Sequence, residues 1–290
     1  MKPIRKPFYG DPLFPYELVY QTAKNQDNEL PDHIHDRYEL VYIHQGNGIF
    51  FIDNTWYEQQ PGDLFVIPGN TIHHSLPDYH NPIVSSAIFF APALVSRTTL
   101  DDSYSHLLCF EIARQQSSYK FTLPENLKLR TEETLALMSE ELNTRSIGYR
   151  ESLLISLNQL LLRYNRHLMV NIHTHPKSPR IAPSWMMNAL RKIDEHPERE
   201  CSLASLAADA NVSAPHFSRL FKKLTSMNIT SYINAKRIIK AKELLLETED
   251  NVSLISEICG FDTPTHFYRV FKALTGTTPN MYRNNKNSFE

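Results

Sequence analysis

His33 and His35 stand two residues apart, Glu39 follows four residues later, and His73 comes after a stretch running from Gly62 to Pro68. Imidazole nitrogens with a carboxylate are the donor set of a divalent ion such as Zn, Mn, Fe or Ni, and they are equally a set that meets the hydroxyls of a polar metabolite. The two-residue spacing directs His33 and His35 to one face of a strand. A second chemistry lies at the other end of the chain. HFSRLFKKLT, His216 to Thr225, recurs fifty positions on as HFYRVFKALT, His266 to Thr275, with seven of ten residues identical. Phe217, Leu220, Phe221 and Leu224 in the first copy, and Phe267, Val270, Phe271 and Leu274 in the second, form one apolar helical stripe each. Ser218, Arg219, Lys222 and Lys223, and then Tyr268, Arg269 and Lys272, face the other way. A cationic helix face presented twice suits a double-stranded polyanion with a repeating groove.

These faces need elements to hold them. In the first unit Ser202 caps a short helix carrying Leu203, Leu206 and Ala207, the chain turns near Ala210 and Asn211, and Ser213 caps the next helix. Asn tolerates the left-handed backbone that such a turn requires. In the second unit Ser253 is expected to cap Leu254 to Cys259, Gly260 makes the turn, and Thr263-Pro264 opens the following helix with proline at its tolerated position. Both read as helix-turn-helix units. A helix from Thr230 to Thr248 joins them. About 18 residues at 1.5 Å each span roughly 27 Å, of the order of one DNA turn of roughly 34 Å.

The first half has a different rhythm. From Tyr16 to Ala91 short β-rich runs alternate with turn residues, and Asp53, Asn54 and Thr55 mark a hairpin between Phe50-Phe51-Ile52 and Trp56-Tyr57. Many short strands with Gly and Pro at intervals read as a β-barrel or jelly roll. The spacing of His33, His35, Glu39 and Gly46, then Gly62, Pro68 and His73, resembles the two cupin motifs, although Asn70 departs from the second. If the register slips by one, His74 and not His73 points inward. Glu132 to Leu142 and Tyr149 to Leu168 are expected to be helical, the second as core by its apolar stripe or, as the resemblance of the chain to a known family implies, as a dimer interface. Thr174 to Pro183, with three prolines, reads as a linker.

From Trp185 to Arg283 the chain resembles the DNA-binding domain of the AraC/XylS family of bacterial transcription regulators. The resemblance rests on Leu206 to Lys223, Tyr232 to Leu245 and Ile255 to Arg283, which match the family pattern in order. Asn211 and Ser226 stand where the family usually has Gly. The resemblance implies base-reading positions at Pro215, Ser218 and Arg219 in the first recognition helix and at Pro264, Thr265, Tyr268 and Arg269 in the second. Arg219 and Arg269 lead among them, because a guanidinium reads guanine in two directions. Lys222, Lys223 and Lys272 are placed for phosphate. His216 and His266, beside the buried Phe of each copy, are expected to pack and not to read bases. For the first half, the resemblance implies an effector pocket lined by His33, His35, Glu39, Tyr42, Trp56 and His73. It favours a small polar metabolite, a carbohydrate first, and no cofactor; a divalent metal held by His33, His35, Glu39 and His73 is the alternative.

Composition agrees with this outline. A 290-residue chain, 41% hydrophobic with a net charge of −2, supports two cores but no bulk electrostatic attraction to nucleic acid, so DNA affinity must come from local patches. Three cysteines without a paired motif indicate neither a disulfide framework nor a zinc finger. With no long apolar run, a cytoplasmic protein is expected.

The expected fold is α+β in two domains: a cupin-like β-barrel (jelly roll) with flanking helices over residues 1–170, a linker over 171–183, and an all-α double helix-turn-helix domain over 184–290. The expected function is a sequence-specific, effector-responsive transcription regulator and not an enzyme. Its expected partners are double-stranded DNA, a small effector and a second copy of the chain, with RNA polymerase as a further contact and no membrane. Two other readings stay open: a metal-binding cupin enzyme or metal-dependent sensor fused to a DNA-binding domain, and a ligand-independent regulator whose barrel only dimerises.

Overall fold

The computed structural model describes residues 4–5, 11, 13–24, 33–95, 104–170, 182–199 and 201–284. Most of the expected linker, residues 171–181, lies outside the described residues.

The N-terminal half is built from β1 (Ile4–Arg5), β2 (Tyr16–Lys24), β3 (His33–Ile34), β4 (Tyr38–Gln45), β5 (Gly48–Ile52), β6 (Thr55–Gln59), β7 (Asp63–Ile67), β8 (His73–Pro77), β9 (Ile83–Phe90) and β10 (Lys120–Thr122). They form two sheets, ordered β1-β3-β8-β5-β6 and β10-β7-β4-β9-β2. Their facing sides share one core, in which Phe50 of one sheet meets Phe65 of the other at 4.9 Å between ring centres. The expected hairpin is present: β5 and β6 pair with Ile52 opposite Thr55, and Asp53 turns the chain with φ of 59°.

The outer side of the second sheet is covered by α1 (Leu108–Gln116), α2 (Glu125–Thr144) and α3 (Tyr149–Val170). Leu153, Leu157, Leu160, Leu161 and Tyr164 of α3 are buried there, so its apolar stripe is core within the single chain. Helix α2 starts seven residues before the expected Glu132, and α1 and β10 had no clear periodic signal because each is short.

The C-terminal half consists of α4 (Ser184–Glu195), α5 (Leu203–Asp209), α6 (Ala214–Thr225), α7 (Ile229–Glu247), α8 (Val252–Ile258), α9 (Pro264–Thr275) and α10 (Pro279–Asn284). Ser202, Ser213 and Thr263 cap α5, α6 and α9 as their sequences predict. Helix α8 differs. Asn251, two residues before Ser253, accepts from the Leu254 backbone N–H at 2.8 Å and so begins the helix earlier. Asn outranks or equals Ser as a cap, and starting there buries Val252. Asn211 and Gly260 take the two tight turns with φ of 54° and 80°.

Strand alternation gives the first sheet a second role. Phe50, Ile52 and Tyr57 point into the barrel core, whereas Ile34, Phe51, Trp56 and Ile72 point outward and belong to the hydrophobic core of the helical half. The two domains therefore meet through an apolar sheet face.

Candidate functional site

His33 ends up on β3 opposite His73 of β8, and His35 follows at the end of β3. Glu39 comes from β4 in the facing sheet. All four are buried, and one donor atom from each lies within 4.8 Å of the others. The Nε2 atoms of His35 and His73 stand 3.1 and 3.0 Å from the same oxygen, Glu39 Oε2. The His73 contact is close enough for ion pairing but off the hydrogen-bonding direction. On the far side of each ring, Nδ1 of His35 sits 2.9 Å from the Arg37 carbonyl oxygen, and Nδ1 of His73 sits 2.9 Å from that of Thr71. Burial alone would raise the Glu39 carboxyl, but the His73 and His35 imidazoles outweigh it and hold the group well below the usual carboxylate range.

The other two pocket candidates are not with them. Tyr42 faces the helix layer, where its hydroxyl donates to Glu132 of α2 at 2.7 Å. Trp56 faces the helical domain, and its Nε1–H donates to the Leu224 carbonyl oxygen at 3.1 Å, at the C-terminal end of α6. Strand parity explains both separations: Tyr42 lies an odd number of residues from Glu39, and Trp56 is adjacent to inward-facing Tyr57. His74 is buried on the outward face against Phe51, with ring centres 5.3 Å apart.

Helices α6 and α9 bury Phe217, Phe221, Phe267 and Phe271 completely. Pro215, Arg219, Lys222 and Lys223 of α6 are exposed and Ser218 is half-buried; Pro264, Thr265, Arg269 and Lys272 of α9 are exposed and Tyr268 is half-buried. Among the described residues, neither Arg219 nor Arg269 is drawn into an ion pair. The His216 ring lies 6.1 Å from Trp185 and that of His266 5.6 Å from Phe261. Helix α7 carries both units on one rod, with Tyr232, Ala235, Ile238 and Ala241 buried along it.

One group of residues carried no sequence signal. Lys236 of α7 is buried and bonds both Asp53, at the β5–β6 turn, and Asp194 of α4. The Tyr232 hydroxyl donates to the Asp53 carbonyl oxygen at 3.2 Å, and Lys242 bonds Asn70. Burial would lower the Lys236 ammonium, but the two carboxylates outweigh it and hold it well above its ordinary value. With partners up to 183 positions apart, only folding brings this interdomain tie together.

Residues 15–157 match the AraC-like ligand binding domain, and residues 206–285 match a helix-turn-helix domain. The chain belongs to the AraC family. This AraC-family chain is 27% identical to the HTH-type transcriptional activator RhaR of Pectobacterium carotovorum subsp. carotovorum over 92% of its own length and 90% of that protein. A RhaR of Yersinia pseudotuberculosis is also 27% identical, over 91% of this chain and 88% of that one. Among solved structures, the DNA-binding domain of AdpA in complex with a target DNA is 26% identical over 35% of this chain and 91% of that one, with a TM-score of 0.34. The AraC-family chain is thus a transcription regulator with an N-terminal ligand-binding domain and a C-terminal DNA-binding domain, the two-domain α+β layout read from its sequence. Among the described residues no helix is long and apolar enough to cross a membrane.

Proposed function

We propose that α6 and α9 read successive major grooves of one operator, with Arg219 and Arg269 as the principal base readers, aided by Pro215, Ser218, Pro264, Thr265 and Tyr268. Lys222, Lys223 and Lys272 hold phosphate. The observation that carries this reading is the pair of matched, capped helices whose arginines are exposed while their phenylalanines are buried. Footprinting on a selected operator tests it: Arg219→Ala and Arg269→Ala each should lose protection over a different part of the site, and unchanged footprints for both would refute it.

In the same proposal the N-terminal domain senses a small polar molecule, a carbohydrate being the favoured class, whose polar groups engage the cluster of His33, His35, Glu39 and His73. Tyr42 and Trp56 take separate roles, in the helix layer and the domain interface. Domain limits of 1–170, 171–183 and 184–290 fit the end of α3 at Val170 and the start of α4 at Ser184. The regulator acts in the cytoplasm as a homodimer without catalysing a reaction, and RNA polymerase is a further partner. A thermal-shift panel of sugars and related metabolites on the full chain tests the sensing: one class should raise the midpoint and alter operator binding.

A further inference from the structure

The last turn of a helix leaves carbonyl oxygens without a partner inside the helix, and a left-handed residue just beyond it closes one of them when its backbone N–H turns back. Helix α9 ends in this way: Gly276, at φ of 77°, donates to the Lys272 carbonyl oxygen at 2.9 Å. Helix α6 does not. Ser226 takes the same left-handed conformation at φ of 56°, at a steric cost that glycine is spared, yet among the described residues its N–H makes no corresponding bond. Otherwise the two ends match. The Thr225 and Thr275 hydroxyls donate to the Phe221 and Phe271 carbonyl oxygens, both at 2.8 Å, and accept from the Met227 and Thr277 N–H groups, both at 3.3 Å.

What closes α6 comes from the other domain. Trp56, on β6, is buried in the core of the helical half beside Phe51, and its Nε1–H donates to the Leu224 carbonyl oxygen at 3.1 Å. Lys222 and Lys223 stand on the turn that this bond closes. The sensing domain also lies against α9, through β1, but the end of α9 is closed by its own chain.

We propose that Trp56 is a positioning residue for DNA reading: it fixes the last turn of α6, so the first recognition helix depends on the sensing domain for its C-terminal order and the second does not. This rests on α6 and α9 as the DNA readers. Strand β6 pairs with β5, and β5 with β8, which carries His73 of the histidine cluster. A change in the barrel that shifts this sheet therefore reaches one half of the operator first and not both halves evenly.

The test uses the full-length chain with Trp56→Phe, which keeps a ring and deletes the N–H donor. Hydrogen exchange without DNA is expected to quicken about fivefold or more over Phe221 to Thr225 and to stay unchanged over Phe271 to Thr275. On duplex DNA selected for binding by the wild type, affinity should fall about three- to tenfold. Protection should weaken over the part lost in Arg219→Ala and persist over the part lost in Arg269→Ala. Adding Ser226→Gly, which gives α6 the residue that closes α9, should restore about half or more of the lost affinity; a loss of ring volume alone would not be recovered there. If circular dichroism shows Trp56→Phe unfolded, benzothienylalanine placed at position 56 decides, since it keeps the indole shape without the N–H. Unchanged exchange over α6, protection lost evenly over both parts, an unchanged footprint or no recovery with Ser226→Gly would each overturn the proposal. Failure of the DNA-reading assignment is seen separately, as footprints left intact by Arg219→Ala and Arg269→Ala, and the exchange result stands without DNA.

Discussion

The two helix-turn-helix units share their recognition sequence but not their surroundings. In the second, Gly260 makes the turn and Gly276 ends α9, both with positive φ; in the first, Asn211 and Ser226 adopt the same left-handed conformation with φ of 54° and 56°. The first unit pays for this strain locally, yet it is the one held by Trp56 from the sensing domain through the Leu224 carbonyl. A repeated recognition face can therefore be kept while the turn chemistry and the support around it diverge. The exposed faces stay alike, and the supports answer to the rest of the chain.

The largest effects should test whether the two units are equal in the fold. Phe221→Ala and Phe271→Ala each remove a fully buried ring and are expected to cost about 3–5 kcal/mol by denaturant unfolding. A cost near zero for either would mean that its unit is not part of the cooperative core. Next, Arg219→Ala and Arg269→Ala should each lose about 1–3 kcal/mol on a specific operator while leaving the unfolding midpoint in place. If only one of them weakens binding, the units are unequal readers despite their shared sequence.

The turns should separate the units by a smaller margin. An added Cβ at Gly260 meets the Glu198 backbone in a conformation that L-residues avoid, so Gly260→Ala should cost at least about 1–2 kcal/mol. Asn211→Gly should shift stability by less than about 1 kcal/mol, because relief of the left-handed backbone is offset by a freer unfolded chain. Equal effects in thermal melts would erase the contrast between the two turns.

The smallest effect concerns the segment beneath Gly260. A hydrogen bond from Lys240, at 2.9 Å, holds the Glu198 carboxyl at about 2. Its folded value is depressed, so its contribution is present above the ordinary carboxylate value of about 4.3 and is lost as pH falls toward 2. Glu198 is partly exposed, so Glu198→Gln should cost less than about 1 kcal/mol at neutral pH and converge with wild type in strong acid. A constant difference down to pH 2 would assign the loss to packing.

Much of the fold was legible because it rests on local physics. Caps at Ser202, Ser213 and Thr263, the turns at Asn211 and Gly260, and the hairpin at Asp53 each depend on residues within a few positions of one another. The cap of α8 was misplaced by two residues because Asn251 and Ser253 are both good caps and only packing of Val252 chooses between them. The candidate site was half legible. Two-residue spacing placed His33 and His35 together, and a register open by one between His73 and His74 closed on His73 when β8 paired with β3. Tyr42 and Trp56 were grouped with them by residue type, which says nothing about which side of a sheet a side chain takes.

By itself the sequence determined the two matched amphipathic helices, their buried and exposed faces, and the strand-rich character of the first half, since periodicity and capping act over one or two turns. Only the tertiary structure decided that Glu39 crosses from the facing sheet to His35 and His73, that the outer face of the histidine-bearing sheet is the domain interface, and that Lys236 joins Asp53 to Asp194. Those contacts join residues far apart in the chain, and their geometry is set by sheet pairing and by burial against the other domain, neither of which has a local period to read.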